Sequence, residues 1–350
     1  MSAILVPPLD GDAARSTRER IDQLTKPIGS LGRIEELAER LAAIHGGLPP
    51  IYERRAILLG AGDHGVCAEG VSAYPSEVTP QMVGAFLAEF AAINAFARVS
   101  RADVFVADFG VATPLPQHER LIDLNVARGT RNFAQEAAMT DGELDRALRA
   151  GMEAFAHVRS RVAPQILALG EMGIGNSTSA AAMIVAFTEA DAEAVVGRGT
   201  GVDDETLRRK TRIVAEAAAR VRGADWRTIA REVGGFEIVG LAGALIAAAQ
   251  ARVPVILDGF IVSAAALLAS NIASDSIGYC IAAHRSREVG HSVALRHLGL
   301  VPLFDLDLRL GEGSGAALAF PLCEAAARMV REMKTFAEAG VATAHEPLNA

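Results

Sequence analysis

The sequence is poor in cysteine, in aromatic side chains and in long apolar runs. Its three cysteines, Cys67, Cys280 and Cys323, are far apart and form no Cys-x-x-Cys pair, so we expect neither a disulfide framework nor a cysteine zinc site. The eight histidines include no H-E-x-x-H motif, and we expect no structural metal. No run of about 18 consecutive apolar residues occurs, and residues 1–10 lack both a basic start and a long apolar stretch. These absences predict a reduced, cytoplasmic protein without a membrane span or a secretion signal.

Basic charge is also scarce. The chain carries 34 Lys and Arg against 42 Asp and Glu, a formal net charge of -8. A protein whose main task is to bind nucleic acid must neutralise phosphates, usually with clustered Lys and Arg. No run of five or more basic residues occurs here, so we expect no nucleic-acid partner.

Length and composition together indicate an α/β fold. The chain has 350 residues, beyond the roughly 250–300 at which a single core usually stops growing. Hydrophobic residues make up 51% of the sequence and aromatics only 5%, and the abundance of Ala and Gly suits helices packed closely on a sheet. We expect one large domain with a smaller companion.

Short apolar runs that alternate with Ala-rich helical stretches predict a parallel sheet with helices on both faces. The six predicted strands are residues 56–59, 104–107, 121–124, 166–169, 253–257 and 277–282. Open parallel sheets bind ligands beyond the carboxyl ends of their strands. The segments that follow the predicted strands, and in which we expect the site, are residues 60–67, 170–178, 258–260 and 284–290.

Both ends of the chain are predicted to be helical. Apolar residues recur at steps of three and four in residues 31–46 and again in 316–333, where Pro321 is expected to form a kink or end a first turn. We assign residues 1–50 and 306–350 to a small helical domain, and residues 51–305 to the large sheet domain. Residues 191–204 are rich in Gly and charge, and we expect a long loop there.

The run ILALGEMGIGNSTS at residues 166–179 reads as a strand, a glycine turn and a helix start with Asn176 or Ser177 as N-cap. Gly173, Gly175 and Asn176 then lie where free amides and the helix dipole would hold a phosphate. The alternative is a capped turn that binds nothing. The run lacks the third glycine of a dinucleotide fingerprint and the G-K-[ST] of a P-loop, which argues against a dehydrogenase or an ATPase.

Glu171 is unusual in such a turn, because a carboxylate repels a phosphate. We expect it to face a ribose hydroxyl, a developing positive charge or an acidic proton; otherwise it is an exposed turn residue. A second glycine run, residues 196–201, precedes Lys210 and is expected either to help hold the same phosphate or to form a solvated turn and helix face. Asp63 and Asp258 follow strands, and each is interpreted either as a ligand contact or as a turn former. His64 is interpreted either as a ligand contact or as a residue hydrogen-bonded inside the fold.

Glu312 is the most specific candidate. In RLGEGSGA at residues 309–316, one carboxylate stands among glycines directly before a predicted helix. A structural acid at a helix start contributes well under about 1 kcal/mol and does not require three surrounding glycines. We therefore expect Glu312 to be a general base on a closely approached loop.

Taken together, the motifs resemble the nicotinate-nucleotide:dimethylbenzimidazole phosphoribosyltransferases, enzymes of cobalamin nucleotide-loop assembly. The six blocks that carry the resemblance span nearly the whole chain. They are KPIGSLG (26–32), GDHGV (62–66), EMGIGNST (171–178), LDGF (257–260), HRSRE (284–288) and RLGEGSGAALA (309–319). Six blocks in the right order are far more specific than any one of them.

The resemblance implies a Rossmann-like sheet, a homodimer and a reaction without metal or cofactor. It implies that Glu312 and Glu171 are the catalytic glutamates, and that phosphoribose moves from nicotinate mononucleotide to dimethylbenzimidazole. The residues that it implies as phosphate ligands are Gly173, Gly199, Lys210, Ser286 and Arg309. Those that it implies for the base pocket are Leu310 and the stretch from Tyr74 to Met82. For the dimer, we expect the Ala-rich stretch 241–249 to pack against its copy.

Two other classes of function stay open at this point. One is a nucleotide-binding protein with the same pocket but no turnover, and the other is a Rossmann-type dehydrogenase that uses NAD. Release of nicotinate from nicotinate mononucleotide would distinguish the enzyme from the binder, and bound NAD would identify the dehydrogenase.

Overall fold

Six strands form one sheet in this computed structural model, which describes residues 4–199 and 201–342. They are Arg55–Gly62 (β1), Ala102–Gly110 (β2), Leu121–Asp123 (β3), Ile166–Met172 (β4), Val255–Leu257 (β5) and Cys280–Ala282 (β6). The order is β3-β2-β1-β4-β5-β6, and all neighbouring strands are parallel. The predicted α/β, Rossmann-like sheet is confirmed, and each predicted strand overlaps an observed one. Residues 253 and 254 lie outside β5, and Ser274–Tyr279 form a 3-10 helix before β6.

Helices connect the strands and flank the sheet. In chain order they are Gly11–Gln23 (α1), Arg33–His45 (α2), Val78–Leu87 (α3), Ala92–Ser100 (α4), Asp141–Val162 (α5), Asn176–Thr188 (α6), Ala192–Val195 (α7), Asp204–Arg220 (α8), Trp226–Val233 (α9), Phe236–Gln250 (α10), Phe260–Ile272 (α11), Val289–His297 (α12), Ser314–Glu332 (α13) and Phe336–Ala339 (α14). The two predicted terminal helices correspond to α2 and α13, and Pro321 lies inside α13. The loop expected at 191–204 is interrupted by the short helix α7.

The order of the strands fixes where a ligand can bind. From the central strand β1 the sheet grows through β2 and β3 in one direction and through β4, β5 and β6 in the other. Side chains of β1 and β4 are buried along the whole of both strands. In open parallel sheets the crevice lies at this change of direction, beyond the carboxyl ends of the strands. Residues 62–65 and 171–176 therefore border the crevice.

The Ala-rich stretch 241–249 is not a surface. It belongs to α10, in which every residue from Phe236 to Ala249 except Ala247 is buried within the protomer, and α10 packs against α5. The expectation that this stretch contacts a second copy is wrong, because its small side chains serve close packing between helices and not an exposed face.

One segment of the described chain, Val78–Ser100, is long and apolar enough by composition to cross a membrane. It is divided into α3 and α4, and 39% of its most apolar window is buried. Core helices of soluble proteins also reach this length and apolar composition, so the segment is only weak evidence of a membrane span.

The chain divides into two compact units. Among the described residues, the larger comprises 4–7 and most of 54–319, and the smaller comprises Pro8–Glu53 and 320–342. The sequence-based division placed residues 306–319 with the small domain, whereas their contacts group them with the sheet. All candidate site residues fall in the larger unit.

Within the smaller unit, the motif at residues 26–32 has a structural part. The ammonium of Lys26 lies 2.8 Å from Oε1 of the buried Glu35 in α2. The backbone N–H of Leu31 donates to the same carboxylate at 3.0 Å, and Arg18 in α1 lies 3.0 Å from its other oxygen. A buried carboxylate with three donors is well satisfied, and it fixes the turn before α2.

Candidate active site

Glu312 lies on a left-handed turn immediately before α13. Gly311, Glu312 and Gly313 have φ angles of 83°, 60° and 74°. The conformation favours glycine and is uncommon for a residue with a Cβ. A Cβ on Gly311 would overlap Oε1 of Glu171, so a side chain at this position would displace that carboxylate. The left-handed backbone therefore accounts for the glycines on both sides of Glu312, a structural reason that the sequence analysis did not foresee.

Burial gives Glu312 the acid–base properties of a proton acceptor at neutral pH. Its side chain is 7% exposed. Burial, together with the nearby negative charge of Asp258, raises its pKa from 4.5 to about 7. A carboxylate with that pKa is partly ionised at neutral pH and is matched to removing a proton from an azole.

Glu171 occupies the end of β4 and is buried, with 6% exposure. The alternative of an exposed turn residue is therefore wrong. Burial and then the charge of Asp258 raise the pKa of Glu171 to about 8, with smaller contributions from Glu237 and Glu312. The free enzyme thus holds Glu171 mainly as the neutral acid at pH 7, and a positively charged ligand would favour its ionised form.

The helix that follows Glu171 begins differently from the prediction. The N-cap of α6 is Gly175, at φ 93°, and makes no side-chain cap. Asn176 is the first helical residue, and its side-chain amide donates to Oε2 of Glu171. Asn176 therefore orients a carboxylate where the sequence predicted a cap, because a glycine in the left-handed region already forms the turn.

A buried histidine–glutamate pair adjoins this turn. Nε2 of His64 lies 2.7 Å from Oε1 of Glu237, and both side chains are fully buried. Asp63 accepts the backbone N–H of Ala112 at 2.8 Å. Both residues of the 62–66 motif are thus bonded inside the fold. Glu237 was missed by the sequence analysis, although it is the one charged residue of the apolar helix α10 and such a charge requires a buried partner.

Lys210 is brought to the start of α6. It is 1% exposed, and its Nζ donates to Oγ of Ser177 at 2.9 Å and to the carbonyl of Gly197 at 3.3 Å. Burial lowers its pKa to about 8, and the negative charge of Glu288 opposes that shift. A Cβ on Gly199 would lie 3.5 Å from Nζ. The solvated alternative for Lys210 is wrong, since the ammonium lies inside the fold beside both glycine runs.

Two of the remaining predicted phosphate ligands, Ser286 and Arg309, lie on loops after β6. Arg309 is exposed, and its guanidinium contacts the carbonyl of Gly199 at 3.4 Å. The backbone N–H of Ser286 donates to Nδ1 of the buried His291 at 2.9 Å. Gly173 follows β4 at the edge of the crevice. The role of each in holding phosphate stays a prediction.

The stretch predicted for the base pocket joins the same crevice through Thr79. This buried residue lies between Tyr74 and Met82, and its hydroxyl accepts the backbone N–H of Ile174 at 3.0 Å. Tyr74 and Leu310 are exposed, and Met82 is half-buried in α3. Their contact with a base stays a prediction. Among the residues that the structure describes, no group of three or more His, Cys, Asp or Glu side chains is placed to hold a metal ion.

Comparisons with known proteins agree with this geometry. A phosphoribosyltransferase family model matches residues 6–341. The chain is 51% identical to the nicotinate-nucleotide–dimethylbenzimidazole phosphoribosyltransferase of Thermus thermophilus, with 95% of this chain and 99% of that one covered. It is 49% identical to the enzyme of the same name from Chloroflexus aurantiacus, with 95% of each covered.

Solved structures give the same result. The crystal structure of CobT from Thermus thermophilus superposes with a TM-score of 0.92 at 50% identity, covering 95% of this chain and all of that one. None of these relatives supports the dehydrogenase or the non-catalytic binder. The sheet, the glycine-framed glutamate and the near full-length matches lead to one assignment: the chain belongs to the nicotinate-nucleotide–dimethylbenzimidazole phosphoribosyltransferase family.

Proposed function

We propose that this protein transfers 5-phosphoribose from nicotinate mononucleotide to 5,6-dimethylbenzimidazole or a related base, giving α-ribazole 5′-phosphate and nicotinate for cobalamin nucleotide-loop assembly. The observation that carries the proposal is the buried Glu312, whose pKa is raised to about 7 on a turn that approaches Glu171. The family of the chain supports the choice of substrates.

The chemistry needs a base more than it needs an acid. In nicotinate mononucleotide the glycosidic nitrogen is a pyridinium, so the bond to the ribose carbon breaks with its electron pair moving to that nitrogen, and the leaving group needs no proton. The ribose carbon gains oxocarbenium character while a ring nitrogen of the benzimidazole forms the new bond. Glu312 accepts the proton from the other ring nitrogen, which makes the attacking nitrogen more nucleophilic.

The other residues hold the donor. Lys210 and the loops at Gly173, Gly175 and Gly199 would bind the phosphate, because an ammonium and free amides complement its charge. Glu171 would stabilise the positive charge that grows on the ribose, and the cationic pyridinium would draw its carboxyl toward the ionised form. Attack on the face opposite nicotinate would convert the β-nucleotide into an α-ribotide.

Assembly and location complete the proposal. We place the enzyme in the cytoplasm as a homodimer, since the motif resemblance implies a dimer and the sequence predicts neither a disulfide framework nor a secretion signal. With the stretch 241–249 buried inside the protomer, the interface must use another surface.

The experiment is an incubation of the purified protein with nicotinate mononucleotide and dimethylbenzimidazole, followed by chromatography of nicotinate and ribotide. Equal amounts of both products are expected, and omission of the base is the control. A protein that binds the nucleotide but releases no nicotinate contradicts the proposal. Repeating the assay with other azole bases identifies the preferred acceptor.

A further inference from the structure

Asp258 is the residue directly after β5, and it contacts the loop of Glu312 through both carboxylate oxygens. Oδ2 accepts the backbone N–H of Gly313 at 3.1 Å, and Oδ1 accepts that of Ala316 at 3.0 Å. The donors lie on either side of the start of α13, and Asp258 is 1% exposed. One carboxylate therefore ties the residue after Glu312 and the first turn of α13 to the end of a neighbouring strand.

His284, which follows β6, packs beside the carboxylate of Asp258. Its Nε2 lies 3.6 Å from Oδ1 of Asp258, and its ring is buried. A Cβ on Gly315 would lie 2.0 Å from Cδ2 of His284 and 2.9 Å from Oδ1 of Asp258. The start of α13 is thus packed against both side chains with no room for a further carbon.

We propose that Asp258, braced by His284, is a positioning residue that holds Glu312 in its reactive orientation. Glu312 is not a glycine, and its backbone has little intrinsic preference for the left-handed conformation. Hydrogen bonds from outside the turn must therefore maintain that conformation. Two charge-assisted bonds from a rigid strand end supply that restraint. Asp258 touches neither reacting atom in this role; it acts through Glu312.

The same carboxylate also acts on Glu312 by its charge. The titratable groups that act on Glu312 are Asp258 after β5 and Glu171 at the end of β4. His284 after β6 faces Asp258, and Glu237 acts on Glu171. Asp258 is the charge that raises the pKa of Glu312. Loss of that charge lowers the pKa of Glu312, so the ionised base persists to lower pH and is also weaker.

The inference rests on the proposed role of Glu312 and is tested with Asp258→Asn. We expect kcat to fall by about 100-fold, the order expected when a reacting group is displaced by roughly 1 Å, while the KM for nicotinate mononucleotide changes little. Asp258→Glu keeps the charge but moves the carboxylate, so kcat falls and the pKa of Glu312 stays raised. Asp258→Glu also tests the positioning role if Asp258→Asn does not fold.

Asp108→Asn is the matched control. Asp108 is buried in β2 and accepts the backbone N–H groups of Gly110 and Val111 at 3.0 and 2.8 Å. Its replacement removes the same kind of restraint away from Glu312, and we expect kcat within a few-fold of the unmodified enzyme. Equal losses in kcat for Asp108→Asn and Asp258→Asn would overturn the inference, because Asp258 would then be only structural.

Carbon-13 NMR of labelled glutamate carboxyls separates this inference from the proposed function. Glu312→Gln assigns the Glu312 resonance, and its midpoint should move to lower pH in Asp258→Asn. An unmoved midpoint together with unchanged kcat in Asp258→Asn overturns the inference. If Glu312→Gln keeps normal turnover while the midpoint moves as expected, the base assignment fails and the contact between Asp258 and the Glu312 turn stands.

Discussion

The ammonium of Lys210 lies 2.9 Å from the hydroxyl of Ser177, the second residue of α6. The bond joins a cation on α8 to the helix start where a phosphate would meet free amides. The buried ammonium is satisfied by this hydroxyl and by the carbonyl of Gly197. These two bonds fix the ammonium at the helix start where we propose that the donor phosphate binds.

Replacing Lys210 by Ala should weaken binding of nicotinate mononucleotide more than binding of the base. Loss of one bond to a charged group costs about 1.5–3 kcal/mol, which is roughly a 10- to 150-fold rise in dissociation constant. Calorimetric titration with each ligand measures it. Arg208→Ala, on the exposed face of the same helix, is the control. Equal weakening for donor and base would place Lys210 outside the phosphate site.

Glu312→Gln should lower turnover by about 10²–10⁴-fold, the usual contribution of general-base catalysis, because it keeps the shape and removes the basicity. Affinity for nicotinate mononucleotide should be nearly intact. The deficit should shrink at higher pH, where more of the benzimidazole is deprotonated in solution. Near-normal turnover at neutral pH would instead make Glu171 the first candidate for the base.

The acid limb of the kcat/KM profile, which reports groups of the unliganded enzyme, should lie near neutral pH. The pKa of Glu312 is raised to about 7, so protonation removes the active base as pH falls through that value, and the rate drops about tenfold per pH unit below it. An ordinary glutamate would place the limb near 4.5. Because Glu171, with a pKa of about 8, titrates beside it, the two carboxyls share macroscopic values, and the profile of Glu171→Gln resolves them. A limb near 4.5 in both proteins would contradict the buried base.

Glu35→Gln should destabilise the smaller unit by about 3–5 kcal/mol, because it leaves the buried Lys26 without its counter-charge. Burial alone would raise the pKa of Glu35, but hydrogen bonds from Lys26, Leu31 and Arg18 outweigh it and lower that pKa. The contribution of Glu35 to the free energy of unfolding is thus present above its unfolded pKa of about 4.3. It is lost as the pH falls through the lower pKa that Glu35 has in the folded protein. Urea unfolding at several pH values measures it. Glu36→Gln, on an exposed neighbour, should change stability by less than about 0.5 kcal/mol.

The protein should behave as a dimer at micromolar concentration. Light scattering coupled to size-exclusion chromatography gives the mass directly, and a value near 73 kDa, twice the 36.6 kDa of the chain, is expected. A stable monomer of 36.6 kDa would contradict the homodimer part of the proposed function without touching the proposed chemistry.

The sequence predicted all six strands because short apolar runs that end in Gly or Asp are direct signals of a buried parallel sheet. It also singled out Glu312 by its flanking glycines, although the left-handed turn, which the sequence could not show, is one reason for them. It could not predict that Asn176 bonds Glu171 in place of capping α6, since the two options differ only in the φ of Gly175. Small residues misled it at 241–249, where an Ala-rich helix face fits a buried neighbour as well as a second copy.

The pairing of β1 with β4 joins Arg55 to Ile166, 111 positions apart in the chain (166 − 55). Contacts of that separation form slowly, because closing a long loop costs chain entropy before the strand pairing can stabilise it. Glu171 reaches its place only with β4, and Glu312 follows 141 positions later (312 − 171). During synthesis from the N-terminus, the glycine turn after β4 and the start of α6 are therefore made well before Glu312, the proposed proton acceptor. If Glu312 is the base, as proposed, a chain that stops short of residue 312 has no transferase activity even when its sheet has formed.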